Sequence, residues 1–527
     1  MNLGDLFSDL ARRRPADVAI IDGRGGAGRE RRLSYAELET QVAQAAGWLQ
    51  SLGLRRGDAV LVFVPMSAEL YVALLALFRL GVVALFLDPS AGRRHVELCC
   101  GRWAPAALLS IPRGHVLRLV SPALRRIPRK ISVGGWVPGA RRWLDGTAVA
   151  PVDCSCAVEA DPALVTFTSG STGVPKAAVR THGFLLAQYR ALAPSIALEA
   201  GEIDLATLPV FTLANLAAGV TTVIPDVDLR RPGAVDAAKV FAQVERLGVG
   251  RITASPAFFE CLIAHGRATG RALPSLRKLY TGGAPVFPRL LDALREVAPM
   301  ARAVAVYGST EAEPIAHVAA EEIAGYAEAM RAGRGLLGGA PVPEVRVRVL
   351  RDCWGEPRPA MSEAQLAAET LGPEQAGEIV VAGEHVLKGY LGGVGDEETK
   401  FRVGGEVWHR TGDAGLFDRD GRLWLLGRCA ARIDDARGRI YPFGIECAAM
   451  AFPEVRRAAA LGHDGKRILA LELAAGARAG LVEEVRGAVR WAEVDEVLVL
   501  PVLPVDARHN AKIDYGALRQ RLAKLRR

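Results

Sequence analysis

The chain has 527 residues, with 66 Lys and Arg against 58 Asp and Glu, for a formal net charge of +8. That length exceeds one ordinary core, and a composition that is 50% hydrophobic and 24% charged is globular, which excludes a disordered chain. The basic residues read as Arg-rich and spread along the chain with no long basic block, so they point to a surface that attracts anionic substrates such as nucleotides and not to nucleic acid.

The N-terminus, MNLGDLFSDLARRRP, carries Asp5 and Asp9 and lacks the continuous apolar core of a signal peptide. Ser34 and Glu37 make a capping box that opens a helix over 34–50, and Gly53 stops it. A buried strand follows at 59–65, a helix at 67–79 and a strand at 82–87. The apolar stretch 71–89 is interrupted by Arg79, Gly81 and Asp88-Pro89, which fits a buried helix, a turn and a strand better than a membrane span. The segment LVTFTSGSTGVPK (164–176) ends a strand in a loop of small residues, Thr168 to Gly173, closed by Lys176. Such a loop frees backbone N–H groups for an anion. It is not a P-loop, because Val174 and Pro175 separate Gly173 from Lys176 and Ala177 follows.

Alternation of strand and helix returns over 200–310: strands at 221–225, 251–256 and 278–283, helices at 235–247, 257–266 and 287–297, and a strand from 303 running into the loop at 311. This alternation predicts a largely parallel sheet with helices on both faces. Beyond about residue 340 the pattern changes to short strands with Gly-rich turns (345–350, 377–383 and 421–428), expected to form a small antiparallel sheet or barrel. The last hundred residues read as a small α+β unit with a helix near 444–451, two strands and a helix from Tyr515. The basic end RQRLAKLRR reads as a solvated helix end, with at most peripheral membrane contact. The eight cysteines include no CxxC pair, so they read as reduced thiols in a cytoplasmic protein.

Several further motifs occur in a fixed order after TSGSTGVPK: GGAP (282–285), YGSTE (307–311), GEIVVAGEHVLKGY (377–390), TGDAGLFDRDGRLWLLGR (411–428) and HNAKID (509–514). Together they resemble the adenylate-forming superfamily of acyl-CoA synthetases, luciferase-like enzymes and adenylation domains, over nearly the whole chain. The resemblance implies an N-terminal domain, 1–428, of mixed and parallel sheets with flanking helices plus a small antiparallel barrel-like part. A small mobile α+β domain, 429–527, would follow it. It also implies ATP as substrate, AMP and pyrophosphate as products, and Mg²⁺. A carboxylate would attack the α-phosphate, a reaction that needs positive charge and donors where negative charge grows. Thr168, Ser169, Gly170, Ser171, Thr172, Gly173 and Lys176 would hold the β- and γ-phosphates. Glu311, after Thr310, would hold the metal. Gly282, Gly283 and Ala284 would lie against adenine, with Tyr307, Gly308 and Ser309 on the other side. Asp413 would accept the ribose hydroxyls with Arg428 in support. Lys512 would bridge the carboxylate and α-phosphate. Taken alone, each residue has a plainer reading: a surface carboxylate, a turn or a solvated lysine. His317, six residues beyond Glu311, reads as a structural or surface histidine, with a catalytic role as the alternative. The run 208–219 is expected to line an acyl pocket, with Thr212 after Phe211 where many relatives carry a histidine.

After Arg428 the chain departs from the acyl-CoA synthetases. It reads GRCAARIDDARGRIY, with Ala430 at the charged hinge position and Asp434 in place of a lysine; Arg437 and Gly438 follow. The combination of LPVF, TTVIPDVDLRRP, ARGRIY and LPVDARHNAKI is similar to the olefin β-lactone synthetases of bacterial long-chain hydrocarbon biosynthesis. That resemblance implies a long-chain 2-alkyl-3-hydroxy acid substrate, intramolecular lactone closure, and other enzymes of a hydrocarbon-forming assembly as partners. The competing readings are a fatty acyl-CoA or acyl-carrier ligase and a non-catalytic acyl- or nucleotide-binding protein.

Overall fold

A computed structural model of the chain describes residues 2–88, 91–152, 157–168, 175–506 and 512–525. They form two compact units, 1–226 with 384–397, and 227–383 with 398–527.

In the first unit, Ser34 caps the helix Tyr35–Ser51 and Glu37 completes the capping box, as its spacing predicts. Gly53 follows at φ +81°. The strands Arg141–Arg142, Arg129–Ser132, Ala107–Ser110, Ala59–Phe63, Val83–Phe86 and Pro162–Thr168 pair side by side in parallel, and Lys176–Thr181 closes the row antiparallel. Ile203–Ala206, Thr221–Ile224 and Val18–Asp22 form a second parallel group, edged by Arg31–Ser34. The helix Ala68–Arg79 is buried along nearly its whole length. Its one buried charge, Arg79, is 1% exposed and is satisfied by Glu39 at 2.7 Å, Ser8 Oγ at 2.8 Å and the Val152 carbonyl at 3.0 Å. A buried cation is tolerable when fully paired, so this apolar stretch is a core helix. Among the described residues no helix is long and apolar enough to cross a membrane. The N-terminal segment, read above only for what it is not, forms an amphipathic helix, Leu3–Arg13, capped by Asn2 and Asp5.

In the second unit the parallel strands Arg251–Ala254, Lys278–Gly282 and Arg302–Ser309 carry the expected helices Pro256–Thr269 and Pro288–Val297. The antiparallel strands do not form a separate sheet. Ala312–Ala319 folds back on Arg302–Ser309, and Leu336–Pro341, Leu423–Arg428, Glu406–Phe417, Gly377–Gly383 and Val345–Leu350 continue from it strand by strand. The hairpin at Ser309–Ala312 makes the join, reversing the chain so tightly that the next strand pairs at once. Residues 429–527 add a hairpin, Ile433–Asp435 with Gly438–Ile440, and the three strands Val455–His463, Lys466–Leu473 and Glu496–Val499. Ile445, Leu469 and Val485 pack on one face of these strands, and Leu461, Leu503 and Leu518 on the other.

Candidate active site

The strands Lys278–Gly282 and Arg302–Ser309 end side by side, with Gly282 opposite Val306. The carboxyl ends of parallel strands are where open α/β sheets bind ligands. A Cβ on Gly282 would lie 2.5 Å from the Val306 carbonyl oxygen, and Gly283 turns away at φ +80°. Both glycines are therefore required by the backbone, which leaves no side chain larger than a methyl over Gly282–Ala284.

Tyr307 follows Val306 on the neighbouring strand. Its hydroxyl donates to Asp413 Oδ2 at 2.8 Å, and Arg428 Nη1 donates to Asp413 Oδ1 at 2.8 Å. Asp413 and Arg428 are register partners on Glu406–Phe417 and Leu423–Arg428, so strand pairing itself brings them together. Thr411 braces the turn by accepting from the Asp413 N–H at 3.0 Å and donating to the Ile379 carbonyl at 2.8 Å. Burial and the Asp413 anion push the Tyr307 hydroxyl well above its usual range, and the same anion holds Arg428 charged. Each carboxylate oxygen has one protein donor and a lone pair left over, so Asp413 retains capacity for a vicinal diol.

Gly308, Ser309, Thr310 and Glu311 form the tip of the next hairpin. Ser309 Oγ accepts from the Glu311 and Ala312 N–H groups at 3.2 Å each, and a Cβ at Gly308 would sit 3.0 Å from the Ala312 carbonyl oxygen. The tip thus presents Glu311 as an oxygen donor. Among the described residues no group of three His, Cys, Asp or Glu converges. A single carboxylate fits Mg²⁺, which keeps waters and shares phosphate oxygens, and does not fit a caged metal.

Two residues near Glu311 escaped sequence reasoning. Lys400 and His409 are register partners and both are buried; His409 Nδ1 lies 3.1 Å from Lys400 Nζ and 3.1 Å from the Thr399 carbonyl oxygen. Burial and then the Lys400 charge lower the imidazole to about 3, with Glu311 pulling the other way. His409 is a neutral ring flanked by a cation and the Glu311 carboxylate. The available signal was a lysine and a histidine at opposing positions of two apolar strands.

In the first unit, Thr168 and Lys176 are register partners that close the hairpin on which the small-residue loop sits. Ser169, Gly170, Ser171, Thr172 and Gly173 lie outside the described residues. Lys176 is buried, with Nζ 5.8 Å from the Tyr390 ring centroid, and Gly395, at φ +100°, makes room for its stem. The run 208–219 is the helix Pro209–Ala218, with Phe211 and Thr212 buried and Asn215 donating to Asp204 at 2.7 Å and Thr222 at 3.1 Å. His317 lies within the strand Ala312–Ala319 opposite Val306, where burial lowers its basicity.

Lys512 is tied to Asp506. Its N–H donates to Asp506 Oδ1 at 3.0 Å, its carbonyl accepts from the Asp506 N–H at 2.8 Å, and the Asp514 N–H reaches the Pro504 carbonyl at 2.9 Å. Two buried glutamates hold the residues on either side. Glu472 accepts from the Leu503 N–H at 2.8 Å. Glu446 accepts from the Tyr515 hydroxyl at 2.6 Å and the Ala460 N–H at 3.0 Å. In the hairpin after Arg428, Asp434 pairs with Arg439 at 2.7 Å and Arg432 at 3.0 Å, while Tyr441 anchors to Asp352 at 2.9 Å.

The strand ends of one α/β unit carry Gly282–Ala284, the Tyr307–Asp413–Arg428 hydrogen-bond chain and the Glu311 carboxylate. The AMP-binding enzyme family matches residues 7–391, and the chain belongs to it. It is an ATP-dependent adenylate-forming enzyme that acts on a carboxylic acid. It is 34% identical to an olefin beta-lactone synthetase of Stenotrophomonas maltophilia over 97% of this chain and 96% of that one. A feruloyl-CoA synthase of an Amycolatopsis species is 30% identical over 82% of this chain and 80% of the other. The fold matches an amide bond synthetase from Marinactinospora thermotolerans with TM-score 0.80, at 24% identity, covering 98% of this chain and 99% of that one.

Proposed function

We propose that the enzyme adenylates a long-chain 2-alkyl-3-hydroxy acid and then closes it to a β-lactone. In the first step a substrate carboxylate oxygen bonds to the ATP α-phosphorus and pyrophosphate leaves. In the second, the substrate's 3-hydroxyl oxygen bonds to the acyl carbon, the acyl–phosphate C–O bond breaks, AMP leaves and the hydroxyl proton is lost. Holding nucleophile and electrophile in one molecule supplies a large effective molarity that offsets part of the ring strain. The observation that carries this reading is the similarity to an olefin beta-lactone synthetase along 97% of the chain, including the region after Arg428. The ion-paired Asp434 supports it, because the hairpin that would serve a thiol donor is here tied up by Arg432 and Arg439.

In this reading Asp413 holds the ribose hydroxyls, Arg428 and Tyr307 orient Asp413, and Gly282–Ala284 with Tyr307 take adenine. Thr168 to Gly173 and Lys176 bind the β- and γ-phosphates. Glu311 would hold Mg²⁺, which supplies neutralisation of phosphate charge. Lys512 is the catalytic cation, carried by residues 429–527 as a mobile lid, and the helix Pro209–Ala218 lines the acyl pocket. A thioester-forming ligase is the second reading, favoured by the feruloyl-CoA synthase similarity.

The test is product analysis. A 2-alkyl-3-hydroxy acid with ATP and Mg²⁺ is expected to give pyrophosphate, AMP and a neutral product lighter by one water, with or without CoA. The matched acid lacking the 3-hydroxyl is expected to stop at bound acyl-AMP after one pyrophosphate release, since its carbonyl has no internal nucleophile. Fast CoA-dependent turnover of that deoxy acid to an acyl-CoA overturns the lactone step and leaves adenylation standing. Absence of pyrophosphate from every acid overturns both.

A further inference from the structure

The basic residues are not spread as evenly as composition implies. Between Glu97 and Asp145 the chain carries nine Lys and Arg and no Asp or Glu. This acid-free stretch holds the strands Ala107–Ser110 and Arg129–Ser132 and the loops that follow their carboxyl ends. The first loop continues through the turn Val116–Leu119, and the second carries Trp136.

The two loops are joined. Arg118 donates to the Pro138 carbonyl at 3.3 Å, and Gly135 sits so close to Pro112 that a Cβ there would meet it at 2.9 Å. On this joined surface Leu119 is 76% exposed, Trp136 77%, Val116 58% and Val120 55%. Four large apolar side chains turned to water within one pair of loops are unusual for a surface with no partner. In the same acid-free stretch Arg113, Arg125, Arg126 and Arg142 are exposed, and among the described residues no ion pair or side-chain hydrogen bond engages any of the four.

We propose that this face docks on an anionic lipid surface, with Leu119 and Trp136 entering the headgroup boundary and the arginines meeting lipid phosphates. Charge complementarity selects that occupant. A tryptophan and aliphatic tips in the same acid-free stretch as four exposed guanidiniums match an interface that is apolar below and negative above. The inference does not depend on which acid the active site activates.

The test is co-sedimentation of the full chain with vesicles of phosphatidylcholine alone and of phosphatidylcholine mixed with phosphatidylglycerol. The wild type is expected to pellet with the anionic vesicles only, and to be released at ~1 M salt, where the screening length falls to about 3 Å. The double variants Leu119→Asp/Trp136→Asp and Arg113→Glu/Arg142→Glu are each expected to lose vesicle binding by about tenfold or more. Their pyrophosphate release with a water-soluble acid should match the wild type, which shows that they are folded. Wild-type protein that stays in the supernatant with anionic vesicles overturns the proposal, as does a double variant that binds as wild type does. A lipid-free sedimentation coefficient that drops in the Leu119→Asp/Trp136→Asp variant, without vesicle binding by the wild type, reassigns the face to a protein partner.

Discussion

In the proposed reading, Asp413 concentrates the chemistry of the nucleotide end into one carboxylate. It receives Tyr307 on one oxygen and Arg428 on the other, both at 2.8 Å, and keeps lone pairs for ligand. Asp413→Ala is expected to weaken ATP binding by roughly 1.5–3 kcal/mol, the scale of a charge-assisted hydrogen bond, with the fold retained. Titration calorimetry of ATP into the folded variant checks this, and unchanged affinity refutes the ribose role. Glu446 makes a different prediction. Burial raises its carboxyl from the ordinary 4.5 to about 7, against the opposing pull of Tyr515 and the Ala460 N–H. Cys447 beside it is pushed up by the same burial, and Arg519 is the cation acting on Tyr515. The folded state therefore binds a proton that the unfolded state releases between pH 4.5 and 7. The Glu446 contribution is full below pH 4.5 and is lost as pH rises through about 7, a change of roughly 3 kcal/mol. Urea unfolding of wild type and Glu446→Gln across that range should show the wild type losing stability relative to the variant as pH rises. A difference that is flat with pH excludes the shift.

Among the elements, the segment around Lys512 and the Ser309–Ala312 hairpin each carry one side chain of the proposed site. Lys512 is tied to Asp506 through the Asp506 carboxylate and a backbone bond, Asp514 reaches Pro504, and Glu446 and Glu472 hold Tyr515 and Leu503 on either side. Lys512→Ala is expected to leave ATP affinity nearly unchanged and to slow acid-dependent pyrophosphate release by about 10²-fold or more, the scale of losing one transition-state charge contact. A wild-type rate in that variant eliminates the lysine from adenylation. Lys400 and His409 belong to this scale too: the pairing of Lys400–Val403 with Glu406–Phe417 buries a cation beside Glu311 without a local motif to announce it.

At the scale of the whole molecule, the motifs were legible because backbone chemistry is local. The capping box at Ser34–Glu37, the glycines at 282 and 283 and the order of GGAP, YGSTE and TGD could be read from residue types alone, and the α/β alternation from periodicity. The family followed from that order. The amphipathic helix Leu3–Arg13 was not read from the sequence: Asp5 and Asp9 served only to exclude a signal peptide, and the capping pair Asn2 and Asp5 went unread. The small antiparallel part was legible strand by strand, but not its neighbours, since period and turn composition describe each strand alone. What the sequence by itself determined was the class of chemistry, because phosphate, diol and metal recognition demand particular atoms at short spacing. Only the tertiary structure decided which atoms meet: Asp413 with Tyr307 across 106 positions, Lys400 with His409 beside Glu311, and Val116, Leu119 and Trp136 on one exposed face. Those contacts depend on strand register and loop packing, whose free energies come from residues far apart in the chain.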